Sequence, residues 1–248
     1  MTNISNYETV NVILAETVAT VTLNRPDKLN SYTVQMGDDL VNVFADLADN
    51  DDIRVIVLTG AGKAFCAGVD LDMLKAKLAG ETQPGQKELG EEHFISGFCE
   101  DLLNYKKPII VAFNGAAVGI GITMSLPCDI RIAARSAKLA IPFVKLGILP
   151  GLGSTYLLPR IIGLGKAKEL VMTGKKLSAD EALAIGLVNH VVEDDKLLDF
   201  ALGMAKSIAL ADPRILTAAK QVLNFSVQAD SFSDAVACER NKGAALRE

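Results

Sequence analysis

The 248-residue chain has no tryptophan and only two histidines, His93 and His190, so a histidine-centred triad has few places to form. Its four cysteines, Cys66, Cys99, Cys128 and Cys238, lie far apart without a CxxC pair. That spacing argues against a zinc site and a disulfide framework, and fits a reduced, cytoplasmic compartment. No apolar run is long enough to span a bilayer, and Met1 to Glu8 is polar rather than leader-like. A net charge of −5 argues against a nucleic-acid surface, although local lysines could still hold a small anion. Neither nucleic acid, membrane nor metal is expected as a partner. The nucleotide-binding motifs fail as well. After Gly60-Ala61-Gly62 and Gly119-Ile120-Gly121 the third glycine of GxGxxG would fall on Phe65 and Met124, and no GxxxxGK[ST] occurs.

What is present is a globular composition, half apolar and about one fifth charged. Ile109 to Phe113 is a continuous apolar run between Pro108 and Asn114-Gly115, as expected of a strand covered on both faces. The small residues Gly115, Ala116 and Ala117 read as a turn, and a helix can begin at Gly119. Its first N–H groups, with the positive end of the helix dipole behind them, would suit a negatively charged oxygen. Ile53 to Thr59, a loop from Gly60 to Gly68 and a helix from Val69-Asp70-Leu71 repeat the layout. Two such units suggest one oxyanion clamped between two main-chain donors. Spacing alone supports ordinary tight βα turns equally well.

Elsewhere, Val10–Leu14 and Ala19–Leu23 alternate as a strand pair, and Asn24 to Lys28 is a turn. Met36, Leu40, Val43, Phe44 and Leu47 give one face of a helix from about Thr33. Leu71 to Leu78 is a short helix, and Ala79 to Gly90 has the composition of a mobile surface loop or lid. Phe94, Phe98 and Leu102 line a further helix. Strands are expected at Asp129–Ala133, Lys138–Phe143 and Val188–Glu193, with Ser178 and Glu181 forming a capping box. From Asp194 onward the apolar periodicity is helical. The order describes an α/β core over 1–193 and a C-terminal helical region over 194–248 that offers faces to a neighbouring subunit. Cys66 reads as a packing residue before a nucleophile, His93 as a solvated residue and His190 as structural.

Asn24-Arg25-Pro26 through Asn30, Ala64-Phe65-Cys66-Ala67-Gly68-Val69-Asp70-Leu71 and Asn114-Gly115 through Gly121 together resemble the crotonase superfamily, the enoyl-CoA hydratase/isomerase-like proteins. Cys128-Asp129-Ile130, Leu177-Ser178-Ala179 and Ala184 to Val188 add to the resemblance, which runs in consistent order from about Val10 to Val192. It implies a spiral of ββα units, a helical trimerisation region that builds a homotrimer or dimer of trimers, and acyl-CoA thioester substrates of fatty-acid type. No cofactor is implied beyond the coenzyme A carried by the substrate. The implied oxyanion-hole amides are those of Val69 and Ile120. Lys28, Ala64, Ala67, Gly68, Asp70 and Leu71 would follow the CoA moiety, with Asp70 capping its helix. Gly119, Gly121, Thr123 and Phe143 are implied as further substrate-binding positions.

The departures from the family pattern are specific. The two positions that carry water-delivering glutamates in family hydratases hold Thr123 and Phe143, and the carboxylate of one isomerase branch falls on Gly151. Asp72, Glu91, Glu92 and Tyr156 are the remaining candidates for proton transfer, none supported by a motif. The last residues, Arg247-Glu248, stop short of the family's final helix and basic segment, implying a looser hold on CoA and on the trimer. Beside a hydratase or isomerase, these departures leave an acyl-CoA hydrolase, a decarboxylase or a non-catalytic CoA-binding member open.

Overall fold

The computed structural model of the protein describes residues 2–4, 6–80 and 89–247. Eleven strands form two sheets: β1 (Thr2–Ile4), β2 (Val10–Ala15), β3 (Val18–Leu23), β4 (Val55–Gly60), β5 (Ala64–Cys66), β6 (Ile109–Phe113), β7 (Ala116–Val118), β8 (Ile130–Ala134), β9 (Lys138–Ala140), β10 (Lys176–Ser178) and β11 (His190–Val192). The larger sheet has the order β1-β2-β3-β4-β6-β8-β11, antiparallel over its first three strands and parallel from β3 onward. Every residue of β6 is buried, as its unbroken apolar sequence requires of a central parallel strand. The smaller sheet has the order β10-β9-β7-β5, with β9, β7 and β5 parallel. An edge-to-face pair, Phe65 on β5 and Phe113 on β6 at 4.9 Å, joins the two sheets.

The helices are α1 (Val34–Asp49), α2 (Leu71–Leu78), α3 (His93–Ser96), α4 (Phe98–Leu103), α5 (Ile120–Thr123), α6 (Ser154–Ile162), α7 (Leu164–Thr173), α8 (Ala179–Ala184), α9 (Leu197–Ala209), α10 (Pro213–Ser226) and α11 (Phe232–Ala245). Thr33 caps α1 by accepting from the Met36 N–H, and the five apolar positions of its predicted face are all buried. The capping box at Ser178 and Glu181 is present at the start of α8. α9 lies against β3, β4, β6 and β8 through the small buried residues Ala201, Ala205 and Ala209. The helical region therefore begins as a layer of the core.

Several local expectations need correction. The Ala116-Ala117 turn is strand β7, and the Gly60–Gly68 loop contains strand β5. Both strands are three residues long, too short for a periodicity to show. The helix after Gly119 is a single turn, and α2 begins at Leu71 rather than Val69. Most of the expected 79–90 loop lies outside the described residues.

Candidate active site

β5 and β7 are parallel neighbours, and parallel neighbours run roughly 4.8 Å apart. Each is followed by a glycine with positive φ, Gly68 at +107° and Gly119 at +54°. Only glycine adopts such angles without strain, so at both places the backbone turns sharply and re-aims the next peptide. The next residues are Val69 and Ile120. Neither of their N–H groups donates to a backbone or side-chain acceptor among the described residues. These donors are turn amides set by glycine, and the expected helix-dipole contribution is small because α5 has one turn.

The surroundings lock both turns. On the Gly68 side, the Tyr32 N–H donates to the Gly68 carbonyl at 2.8 Å and the Asp70 N–H donates to the Tyr32 carbonyl at 2.9 Å, bracketing Val69. On the other side the Gly119 N–H donates to the Ala140 carbonyl of β9 at 2.8 Å. A Cβ on Gly121 would lie 2.6 Å from the Cys66 carbonyl oxygen, so α5 can rest on β5 only without a side chain there. Two asparagines clip the chain that enters β5. Asn30, fully buried, donates to the carbonyls of Ala61 and Ala64 and accepts from the Arg25 N–H. Asn114 accepts from the Gly60 N–H and donates to the Gly62 and Ala64 carbonyls. These bonds give the Asn24–Asn30 and Asn114-Gly115 signatures a physical purpose.

Val69 and Ile120 line one cavity of about 270 Å³, together with Leu74, Lys77, Leu89, Gly90, Ile95, Thr123, Phe143, Ile148, Leu149, Gly151 and Leu152. Four of the expected site residues, Val69, Ile120, Thr123 and Phe143, thus meet in one place, with Gly151 beside them. Gly119 borders it under the Phe143 ring. Lys28, Ala64, Ala67, Gly68, Asp70, Leu71 and Gly121 do not line it. Ala64, Ala67, Gly68 and Gly121 build the backbone behind the donors, whereas Lys28 and Leu71 are exposed outside. Among the described residues the wall is apolar apart from Lys77, whose ammonium donates to the Leu89 carbonyl, and the Thr123 hydroxyl. Thr123 is fully buried and its Oγ1 has no hydrogen-bond partner among the described residues. Among the described residues, none that lines the cavity carries a carboxylate.

Of the four proton-transfer candidates, Asp72 and Glu91 are exposed, and Tyr156 is half-exposed beneath the Arg160 guanidinium. Glu92 is buried, accepting from the Tyr32 hydroxyl at 2.7 Å and the Gly90 N–H at 2.5 Å. Its surroundings were not legible in sequence, because Tyr32 and Glu92 are sixty positions apart. Burial pushes the Cys66 thiol up to about 11, which keeps it neutral and unreactive. For Asp70, burial alone would raise the pKa. The Asp72 N–H, the Ser31 hydroxyl and Arg25 outweigh that and hold it below its ordinary value. Asp70 caps α2, as expected.

Residues 14–242 match the enoyl-CoA hydratase/isomerase family. The chain belongs to that family. Within it, the chain is 38% identical to the 1,2-epoxyphenylacetyl-CoA isomerase of Escherichia coli K12, over 90% of this chain and 84% of that protein. It is 42% identical to the (E)-benzylidenesuccinyl-CoA hydratase of Thauera aromatica, over 82% of this chain and 77% of that one. The crystal structure of an enoyl-CoA hydratase/isomerase from Cupriavidus metallidurans CH34 superposes with a TM-score of 0.88 at 33% identity, covering 99% of this chain and 90% of its own. These hydratase/isomerase relatives do not favour the hydrolase, decarboxylase or non-catalytic alternatives.

Proposed function

We propose that this enzyme of the enoyl-CoA hydratase/isomerase family binds the carbonyl oxygen of an acyl-CoA thioester between the Val69 and Ile120 N–H groups. The observation that carries the reading is the pair of amides without a partner among the described residues, each behind a positive-φ glycine, at one cavity whose described wall is largely apolar. Enolisation of a thioester, or addition to its conjugated double bond, moves negative charge onto that oxygen. Two donors already in place stabilise the charge without reorganising, and losing one such donor costs about 3–4 kcal/mol. The apolar wall strengthens the effect by keeping competing water away. The acyl chain would occupy the cavity, and the CoA moiety would run outward past the backbone of Ala64–Asp70 towards Lys28.

With Thr123, Phe143 and Gly151 at the positions expected to hold carboxylates, ordinary 2-enoyl-CoA hydration should be slow, since an acid–base group contributes roughly 10²–10⁴-fold. Leu210, just past the end of α9, and Leu223 and Phe232 on α10 and α11 stand exposed, which supports a homotrimer or dimer of trimers. No helix among the described residues is long and apolar enough to cross a membrane. A cytoplasmic location, and a reaction needing no cofactor beyond the substrate's own coenzyme A, complete the reading.

The test is a panel of acyl-CoAs assayed for turnover and for saturable binding by calorimetry. Ile120→Pro deletes one donor at a helix-start position that accepts proline. It should abolish turnover while acyl-CoA binding survives. A panel with neither turnover nor binding refutes the reading, and full activity in Ile120→Pro removes that residue from the mechanism.

A further inference from the structure

We infer that Glu92, acting through Tyr32, is a positioning residue that fixes the Val69 donor and ties it to the Leu89-Gly90 stretch that lines the same acyl cavity. The inference rests on the oxyanion reading above and adds a part that the donors themselves do not supply.

Tyr32 meets the site twice. Its main chain brackets Val69, accepting from the Asp70 N–H and donating to the Gly68 carbonyl. Its hydroxyl donates to one oxygen of the buried Glu92 carboxylate at 2.7 Å. The other Glu92 oxygen accepts from the Gly90 N–H at 2.5 Å, and Leu89, Gly90 and Ile95 form one side of the cavity. A continuous set of bonds therefore runs from the Gly90 wall, through Glu92 and the Tyr32 ring, to both peptides flanking the Val69 donor.

The fold makes room for this link at a cost. Gly37 sits inside α1, where glycine is about 1 kcal/mol worse than alanine. A Cβ there would lie 2.4 Å from the Tyr32 hydroxyl oxygen, so the glycine is what seats the phenol. The Phe94 ring packs on the other side at 4.7 Å, leaving Tyr32 little freedom to turn. Burial, with the Glu92 carboxylate beside it, pushes the Tyr32 phenol far above its ordinary value, so it stays protonated and serves only as a donor. Both partners are buried, and neither is a lining residue. Their effect on substrate must pass through the elements they hold.

The probe is butyryl-CoA labelled with ¹³C at the thioester carbon, whose carbonyl stretch in difference infrared spectra reports the pull of the donors. In the wild-type protein the bound carbonyl should move to lower frequency. Tyr32→Phe removes one oxygen and keeps the ring. It should lose a large part of that displacement while the dissociation constant stays within about twofold. On any acyl-CoA that is turned over, kcat should fall roughly tenfold at nearly unchanged KM, less than the 10²–10³-fold of a deleted donor. Glu92→Gln should behave alike, and the double variant should show no further loss, because both changes cut the same link. Glu92→Gln also reads the link by itself should Tyr32→Phe fail to fold.

A wild-type carbonyl displacement that survives intact in both single variants overturns the inference and leaves the oxyanion reading standing. So does a Glu92→Gln loss of turnover far exceeding that of Tyr32→Phe with the displacement retained, which would make Glu92 a proton-transfer group. Saturable binding of butyryl-CoA to wild type without any displacement overturns both.

Discussion

The Lys220 ammonium lies 2.8 Å from the Asp129 carboxylate, whose same oxygen also accepts from the Ile109 N–H at the start of the central strand β6. A second bond runs from Lys220 to the Lys107 carbonyl, and Thr217 and Asn224 of α10 donate to the carbonyls of Lys106 and Leu103. Lys220 is buried and the Asp129 side chain is 24% exposed, so removing the ammonium leaves a partly buried carboxylate without its counter-charge. Lys220→Ala is expected to lower stability by on the order of 3 kcal/mol, read from urea unfolding. Hydrogen exchange should rise in α10 and in the first residues of β6.

Gly119→Ala tests the turn behind the second donor. The added Cβ would meet the Phe143 ring at 3.6 Å, an ordinary contact, so the penalty is conformational and comes from the φ of +54°. The expected result is a stability loss of about 1–2 kcal/mol. Turnover should fall up to roughly 10²-fold as the Ile120 N–H swings off its target. Normal turnover in a destabilised variant would show that the angle does not aim the donor.

Thr123→Val replaces a buried hydroxyl that has no partner among the described residues with a methyl of similar size. An unsatisfied buried polar group costs about 1–3 kcal/mol, so the ligand-free variant should be more stable than wild type by about 1 kcal/mol. Acyl-CoAs that hydrogen-bond this hydroxyl should lose affinity to the same extent. Thermal unfolding with and without butyryl-CoA and 3-hydroxybutyryl-CoA separates the two effects.

Asp70 has a folded-state pKa below its unfolded value, so it contributes stability that is fully present above the ordinary aspartate range. That contribution should disappear as pH falls through the lower folded value, releasing the α2 cap and the Arg25 contact together. Asp70→Asn should flatten this part of the stability–pH curve below the ordinary carboxylate range and leave the curve above pH 6 parallel to wild type. An unchanged acid limb would contradict the assignment.

The large sheet and the amphipathic helices could be read from the sequence because their signals are local. β6 is an unbroken apolar run, α1 has its apolar stripe, and α8 has its capping box. Two strand–loop–helix units with free amides are legible in the layout, whereas residues 69 and 120 themselves are pointed to by the family resemblance, and the structure attributes the open amides to glycine turns rather than to helix dipoles. The three-residue strands Ala64-Phe65-Cys66 and Ala116-Ala117-Val118 are too short to show a period, and a parallel pairing between residues some fifty positions apart leaves no trace in any window. The link from Gly90 through Glu92 and Tyr32 to Val69 was invisible for the same reason. In sequence, Glu92 is one more acid in a polar stretch, and only its buried partner gives it meaning.

Because the groups that would face the thioester oxygen are peptide nitrogens, side-chain replacement at 69 or 120 leaves them in place unless it introduces proline or disturbs the preceding glycine. Positions 123, 143 and 151 are side-chain matters and sit within the same cavity. Mutational drift can therefore exchange the proton-handling equipment while the charge-stabilising chassis survives. On the proposed reading, a lineage built this way could change its reaction in few steps, at Thr123, Phe143 and Gly151.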